Sequence, residues 1–297
     1  MPRRIWREVL VTTMQQLKVL LAVADHGGFT AAGERLGMAQ PAVSRSVAAL
    51  EAELGAPLLT RRRTGVTLTE AGERAVRRAR EAVRQVDLLR AEVAEVAGQI
   101  TGTLRIASLP TATGTRLPAE LRAFTERHPL VAVRLIEGSD EEVRDWLDLG
   151  VADAAVVTLP APGLRTVLLD SHEMCAVLPA GHRLAEREAV SYADLAEEPF
   201  VRPTGGCAQV FAAAAEQAGV HLEATFEARE MSAVLEMVRA RLGVSILPSV
   251  GVPRLDGTVL RPLVPRTPRT VAVAVSASAS PAARAFLEQL QTGADQG

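Results

Sequence analysis

Cysteine is scarce. The chain has two, Cys175 and Cys207, 32 positions apart, which excludes a disulfide scaffold and a clustered zinc site. No run approaches the roughly 18–20 uninterrupted apolar residues of a membrane-spanning helix. There is no Gly-x-Ser-x-Gly, no phosphate-binding glycine loop and no carboxylate constellation, and the five histidines show no metal-ligand spacing. No catalytic residue, metal site or cofactor is therefore expected. What the chain does have is length and apolar content. Its 297 residues, 48% hydrophobic and 23% charged, suit two domains and exclude a disordered chain, a collagen and a coiled-coil rod.

Charge divides the chain. Residues 1–90 hold 15 Lys and Arg against 9 Asp and Glu, whereas the remainder holds 18 against 26. Opposite signs suggest a basic module for a polyanion and an acidic module with another task. Arg3, Arg4 and Arg7 ahead of Ala22-Val23-Ala24 imitate a secretory signal, but Thr12, Thr13, Gln15, Gln16 and Lys18 interrupt its apolar stretch. A cytoplasmic protein is expected.

In the basic module, Leu17, Leu20, Leu21 and Ala24 have the spacing of an amphipathic helix starting near Met14. Thr30 is expected to cap a second helix reaching Leu36. Gly37-Met38-Ala39 turns the chain, and Pro41 suits the first turn of a third helix over 40–54 that buries Val43, Val47, Leu50 and Leu54. Ala32 and Gly33 stand where two helices must approach closely, as in a helix-turn-helix. Gln40, Pro41, Ala42, Ser44 and Arg45, with Thr30, are the candidate DNA contacts. Glutamine pairs with adenine, arginine with guanine, and alanine reaches a thymine methyl; on any helix taken alone, such residues are more often a solvated face. After Gly55-Ala56-Pro57, the run from Leu58 to Leu68 reads as a hairpin with Arg61, Arg62 and Arg63 at its tip, placed for phosphate or minor-groove contact.

The stretches Phe29–Leu36, Gln40–Arg45, Leu50–Leu59 and Leu68–Gly72 together resemble the winged helix-turn-helix of LysR-type transcriptional regulators, in order and spacing, over about 60 residues. Gly28, Gly33, Ala39 and Leu59 depart from the family's usual Ser, Ala, Ser and Phe. A lost capping side chain costs on the order of 1 kcal/mol, which bears on local stability. From Thr69 to about Ile100 a helix is expected, with Val76, Ala79, Val83, Val86, Leu89, Val93, Val96 and Ile100 recurring at steps of 3 and 4. That is a dimerisation seam, unless it packs on its own domain; the resemblance implies the same pairing, and the family often reaches tetramers.

Beyond Gly102, short β-branched runs alternate with helices, predicting a mainly parallel α/β sheet. Two crossings, near Thr158–Leu164 and Leu263–Thr270, predict two lobes. The expected organisation is a DNA-binding domain over 14–72, a linker helix over 73–101 and an effector domain over 102–297, with lobe I about 102–160 plus 270–297 and lobe II about 161–269. His128-Pro129 and Arg241–Pro248 resemble the effector domain of the same family, itself similar to periplasmic solute-binding proteins. A ligand in such folds sits at strand ends and helix N-termini, making Ser108, Thr111, Ser139, Thr158, Pro203, Thr204, Gly205 and Ser232 the candidates for a small polar or anionic metabolite. The family's pocket corresponds best to Ser108 and the Pro203-Thr204 loop. Each hydroxyl is equally a simple helix cap, and Arg116 is expected at the surface. Cys207 raises a redox switch, but a buried, inert thiol is the expectation. The rivals are a solute binder without DNA function and an enzyme on the two-lobed domain.

Overall fold

A computed structural model describes residues 12–62, 65–252, 256–276 and 279–294. Two compact units divide the chain between Arg90 and Ala91.

The first unit opens with α1 (Met14–His26), started by a Thr13–Gln16 capping box, followed by α2 (Phe29–Leu36) and α3 (Gln40–Leu54). Thr30 is not the cap of α2. Gly28 holds that place in extended backbone without a side-chain bond, and Thr30 lies exposed in the first turn. Because Gly27 turns the chain in left-handed backbone, the cap falls two residues earlier and the helix begins before the threonine. Gly33 answers the close approach expected of it: a Cβ there would sit 2.6 Å from the Met38 carbonyl oxygen. Strands β1 (Leu59–Arg62) and β2 (Gly65–Leu68) form the antiparallel hairpin.

Helix α4 (Glu70–Val96) follows, started by Thr69, whose hydroxyl accepts from the Gly72 amide at 3.0 Å. It ends at Val96, short of the expected Ile100. Its apolar stripe has two fates. Val76 and Ala79 are buried with Leu20, Leu50 and Leu58 in the core of the first unit, whereas Leu89, Val93 and Val96 are 60%, 65% and 92% exposed.

The second unit begins with β3 (Gly102–Ser108), α5 (Pro110–Thr113), α6 (Leu117–Arg127), β4 (Val131–Glu137), α7 (Asp140–Asp148) and β5 (Ala154–Thr158). The long β6 (Arg165–Pro179) follows, then β7 (Val190–Ser191), α8 (Tyr192–Ala196), β8 (Phe200–Pro203), α9 (Ala208–Gln217), β9 (Ala224–Ala228), α10 (Met231–Arg239) and β10 (Ser245–Pro248). Strands β11 (Thr258–Val264) and β12 (Pro268–Val275) and helix α11 (Pro281–Ala294) complete it. Strand order in the main sheet is β4-β3-β5-β12-β6-β11-β7, with β10 on β6.

The mainly parallel sheet is corrected. Strand β3 runs parallel to β4 and β5, but β12 is antiparallel to β5 and β6, and β10 and β11 are antiparallel to β6. The reason is that the first connection between the lobes is a strand rather than a loop, while the return passes through the short segment 265–267 between β11 and β12. Val167 and Leu169 of β6 belong to the core built on Leu104, Ile106, Val156 and Phe286, while Met174, Ala176 and Leu178 belong to that of Tyr192, Phe200 and Phe211. One strand thus serves both lobes, and the first crossing lies at 170–173 rather than 158–164. Arg165, Asp170, Ser171 and His172 break the apolar pattern and hid this part of β6 from a periodicity reading.

Candidate DNA-reading surface and effector cleft

On α3, the apolar spacing turns Val43, Val47 and Leu50 inward, so the opposite positions face out. Gln40, Pro41 and Arg45 are exposed; Ala42 and Ser44 are half-buried. Pro41 lies in the first turn, and Ala39 at the N-cap supplies no side-chain bond. The far end of α3 holds the hairpin in place: the Glu51 carboxylate accepts from the Leu58 amide at 2.7 Å and the Leu59 amide at 3.1 Å. A second anchor is the Val66 amide, which donates to the Gly27 carbonyl at 3.1 Å. The hairpin is therefore fixed relative to the outward face of α3. Arg61 and Arg62 end β1, but their side chains, and Arg63 altogether, lie outside the described residues.

In the second unit a cleft of about 270 Å³ opens between the lobes. Thr111, Ser139, Pro203 and Gly205 line it, as expected. Thr158 stands behind its wall, receiving Arg269 Nε at 3.3 Å and Nη2 at 3.0 Å on its hydroxyl. Ser108 is not on the wall. It is fully buried, donates to the Leu109 carbonyl at 3.2 Å and accepts from Thr113 at 3.0 Å. Thr204 is exposed off the cleft and donates its amide to the Ala228 carbonyl at 2.9 Å. Ser232 does not open its helix: α10 starts at Met231 with Glu230 as N-cap, leaving Ser232 on its outer face. Ser139 also caps α7 through a capping box with Glu142. Arg116 is at the surface, paired with Glu120.

Two charged groups that the motifs did not point to dominate the cleft floor. Arg269, 2% exposed, donates through Nη1 to the Thr111 hydroxyl at 3.0 Å, and its Nη2 lies 3.5 Å from Asp140 Oδ2. Asp140 accepts the Thr158 amide on Oδ1 at 3.1 Å, while its buried Oδ2 has no hydrogen-bond partner among the described residues. A signal for Arg269 was available: it shares the inward period of Val271 and Val273 in β12, a place where a lone cation demands partners. Nothing in the sequence links it to Asp140, which lies on another element of the fold.

Gly206 of lobe II rests on Asp140 so closely that a Cβ would coincide with Oδ2. Arg229, beyond β9, donates to Glu142 Oε2 in the first turn of α7 at 2.7 Å. The Ser139 amide and the Arg229 guanidinium hold the Glu142 carboxyl below its usual range. His172 faces Arg269 across the β6–β12 pair.

Cys207 is the N-cap of α9 and lines the cleft. Burial pushes its thiol up to about 11, against the lowering field of Arg269. It packs on the face of the lobe II sheet that carries Met174, Ala176 and Leu178. Side chains alternate along β6, so Cys175 points to the other face, with Val177. Both thiols are free.

Among the described residues, no helix is long and apolar enough to cross a membrane. The family model for "Bacterial regulatory helix-turn-helix protein, lysR family" matches residues 14–73, and that for "LysR substrate binding domain" matches residues 97–295. The HTH-type transcriptional regulator YvbU of Bacillus subtilis is 33% identical, over 93% of this chain and 97% of its own. The hydrogen peroxide-inducible genes activator of Escherichia coli O6:H1 is 30% identical over 93% of both chains. A solved full-length OxyR point variant of Pseudomonas aeruginosa is 25% identical, covers 94% of each chain and superposes with a TM-score of 0.69.

Proposed function

Since the chain belongs to the LysR family of bacterial transcriptional regulators, we propose that the outward start of α3 reads an operator while the interlobe cleft takes the small molecule that sets the regulatory output. The chain is a DNA-binding regulator with an effector-binding domain, and its relatives are named as regulators rather than enzymes. The observation that carries the DNA reading is the exposure of Gln40 and Arg45 over a buried Val43, Val47 and Leu50, beside a hairpin fixed by Glu51. Gln40, Ala42, Ser44 and Arg45 face base edges. Thr30, Pro41 and the arginines at 61–63 serve backbone contact.

The exposed half of the α4 stripe, Leu89, Val93 and Val96, pairs two copies, setting recognition helices about one turn of DNA, ~34 Å, apart. A small polar or anionic molecule bound at Thr111, Ser139, Pro203 and Gly205 favours one arrangement of the lobes, and it shifts that equilibrium only as far as its affinities for the two arrangements differ.

A gel-shift titration on the chain's own upstream DNA tests the first part. Sequence-selective retardation is expected; retardation equal for unrelated DNA of the same length would sink it. A thermal-shift screen of small metabolites tests the second.

A second reading has a specific observation in its favour. Cys207 lies in the cleft beside Arg269, and one relative is named for hydrogen peroxide. In that case peroxide acts on Cys207 itself. Its raised thiol pKa slows the reaction, since the thiolate is the nucleophile. Trapping with a sulfenic-acid probe after peroxide treatment decides between the two.

A further inference from the structure

The cleft floor carries one anion and one cation, and each retains unused bonding capacity. Arg269 has five N–H donors, of which three go to threonine hydroxyls. Asp140, 6% exposed, has Oδ2 buried without a donor, and the nearest Arg269 nitrogen at 3.5 Å makes no hydrogen bond to it. A buried carboxylate oxygen is costly unless something supplies a donor. Around this buried pair, Leu109, Met231 and Leu247 give the wall an apolar side, and the exposed Glu137, Arg229 and Glu230 stand at its rim. At about 270 Å³ the cavity falls below the roughly 300 Å³ at which drug-sized pockets begin.

The geometry points to a small zwitterion as the effector: an α-amino acid whose ammonium takes Asp140 Oδ2, whose carboxylate takes the spare N–H groups of Arg269, and whose apolar side chain lies against Met231 and Leu247. This rests on the reading that the cleft holds the effector. The charge balance selects the class. Asp140 and Arg269 cancel, so a guest neutral overall keeps the floor neutral. A bare carboxylate meets the unpaired Asp140 oxygen, and a bare amine meets Arg269; either leaves one buried charge uncompensated.

The site also couples binding to lobe movement. The Gly206 backbone rests on Oδ2 in this arrangement, so the ammonium reaches it only by displacing that segment of lobe II. Glycine at 206 is what lets the lobe approach so closely, since any side chain there would overlap the carboxylate.

Isothermal titration calorimetry on the full chain tests this, with the standard L-amino acids as probes, then the best binder against its analogues lacking the amine or the carboxylate. At least one amino acid with an apolar side chain is expected to bind, with each truncated analogue at least tenfold weaker. Asp140→Asn keeps the Oδ1 acceptor for the Thr158 amide, and circular dichroism checks its fold. It should weaken the amino acid at least tenfold while narrowing the gap to the analogue without an amine. Equal affinity for that analogue in the unmodified protein, no loss in D140N, or no amino acid bound at all would each overturn the proposal. Met231→Trp, which fills the cavity, separates this from the parent reading. If a carboxylate alone binds and M231W removes it, the cleft stands and the zwitterion falls; if an amino acid binds equally to M231W and D140N, both fall.

Discussion

Arg229 Nη2 and Glu142 Oε2 lie 2.7 Å apart, and the bond joins the end of β9 in lobe II to the first turn of α7 in lobe I. The same turn presents Asp140 to Gly206, so one turn of helix meets the opposite lobe twice. The ion pair is 64% and 40% exposed on its two sides, which makes it weak as a source of stability and apt as a clasp that opens. Arg229→Ala should cost under about 1 kcal/mol of stability, hence a small drop in melting temperature. It should also shrink the change in operator affinity produced by the effector. A large melting drop, or an undiminished response in fluorescence anisotropy, contradicts the clasp.

For the DNA surface, Arg45→Ala should weaken binding to the preferred operator by about 1–3 kcal/mol and relax specificity at one base step, leaving affinity for random DNA little changed. Anisotropy titrations at two salt concentrations read both. A uniform loss across all sequences, with a flatter salt slope, would reassign Arg45 to phosphate contact.

The two halves of the α4 stripe should respond differently to the same insult. Val93→Asp places a charge on an exposed position and should shift sedimentation toward smaller assemblies without unfolding. Val76→Asp buries a charge among Leu20, Leu50 and Leu58 and should unfold the first unit, read as lost helical signal. If V93D leaves the sedimentation coefficient unchanged, dimerisation is elsewhere.

His172 gives a pH dependence. Burial first, and the charge of Arg269 second, hold its pKa below the usual 6.5, with Asp170 pulling the other way; neither ring nitrogen has a hydrogen-bond partner among the described residues. The unfolded chain therefore takes up a proton near 6.5 that the folded chain refuses until lower pH. The contribution to stability is complete above 6.5 and declines as pH falls from there through the lowered folded value. Denaturation midpoints from pH 8 to pH 5 should fall less steeply for His172→Asn than for the unmodified protein. Parallel curves would assign the acid lability to other groups.

The helix-turn-helix was legible because its signals are local. Apolar spacing, Pro41 and the turn glycines act within a few residues, so α1, α3 and the hairpin strands fell where expected, whereas the start of α2 moved and Leu54, expected in the core, is 44% exposed. The cleft was half legible. Thr111, Ser139, Pro203 and Gly205 follow from strand ends and turns, but Ser108 and Ser232 follow the same rule and end elsewhere, because a hydroxyl is satisfied as readily by the nearest carbonyl or by solvent. Arg269 and Asp140 were invisible as a pair, since their meeting depends on β12 returning beside β5. The antiparallel strands escaped notice because Asp170, Ser171 and His172 sit where β6 leaves one core for the other, and no periodicity survives such a change of surroundings.

Strand β6, 15 residues without interruption, is backbone for both halves of the effector domain. Along this connection, relative rotation of those halves is absorbed as torsion in a hydrogen-bonded ribbon, while the return connection is the short segment 265–267 between β11 and β12. Such a joint is springy: it resists wide excursions, returns when released, and passes a small twist at one end of the sheet to the other.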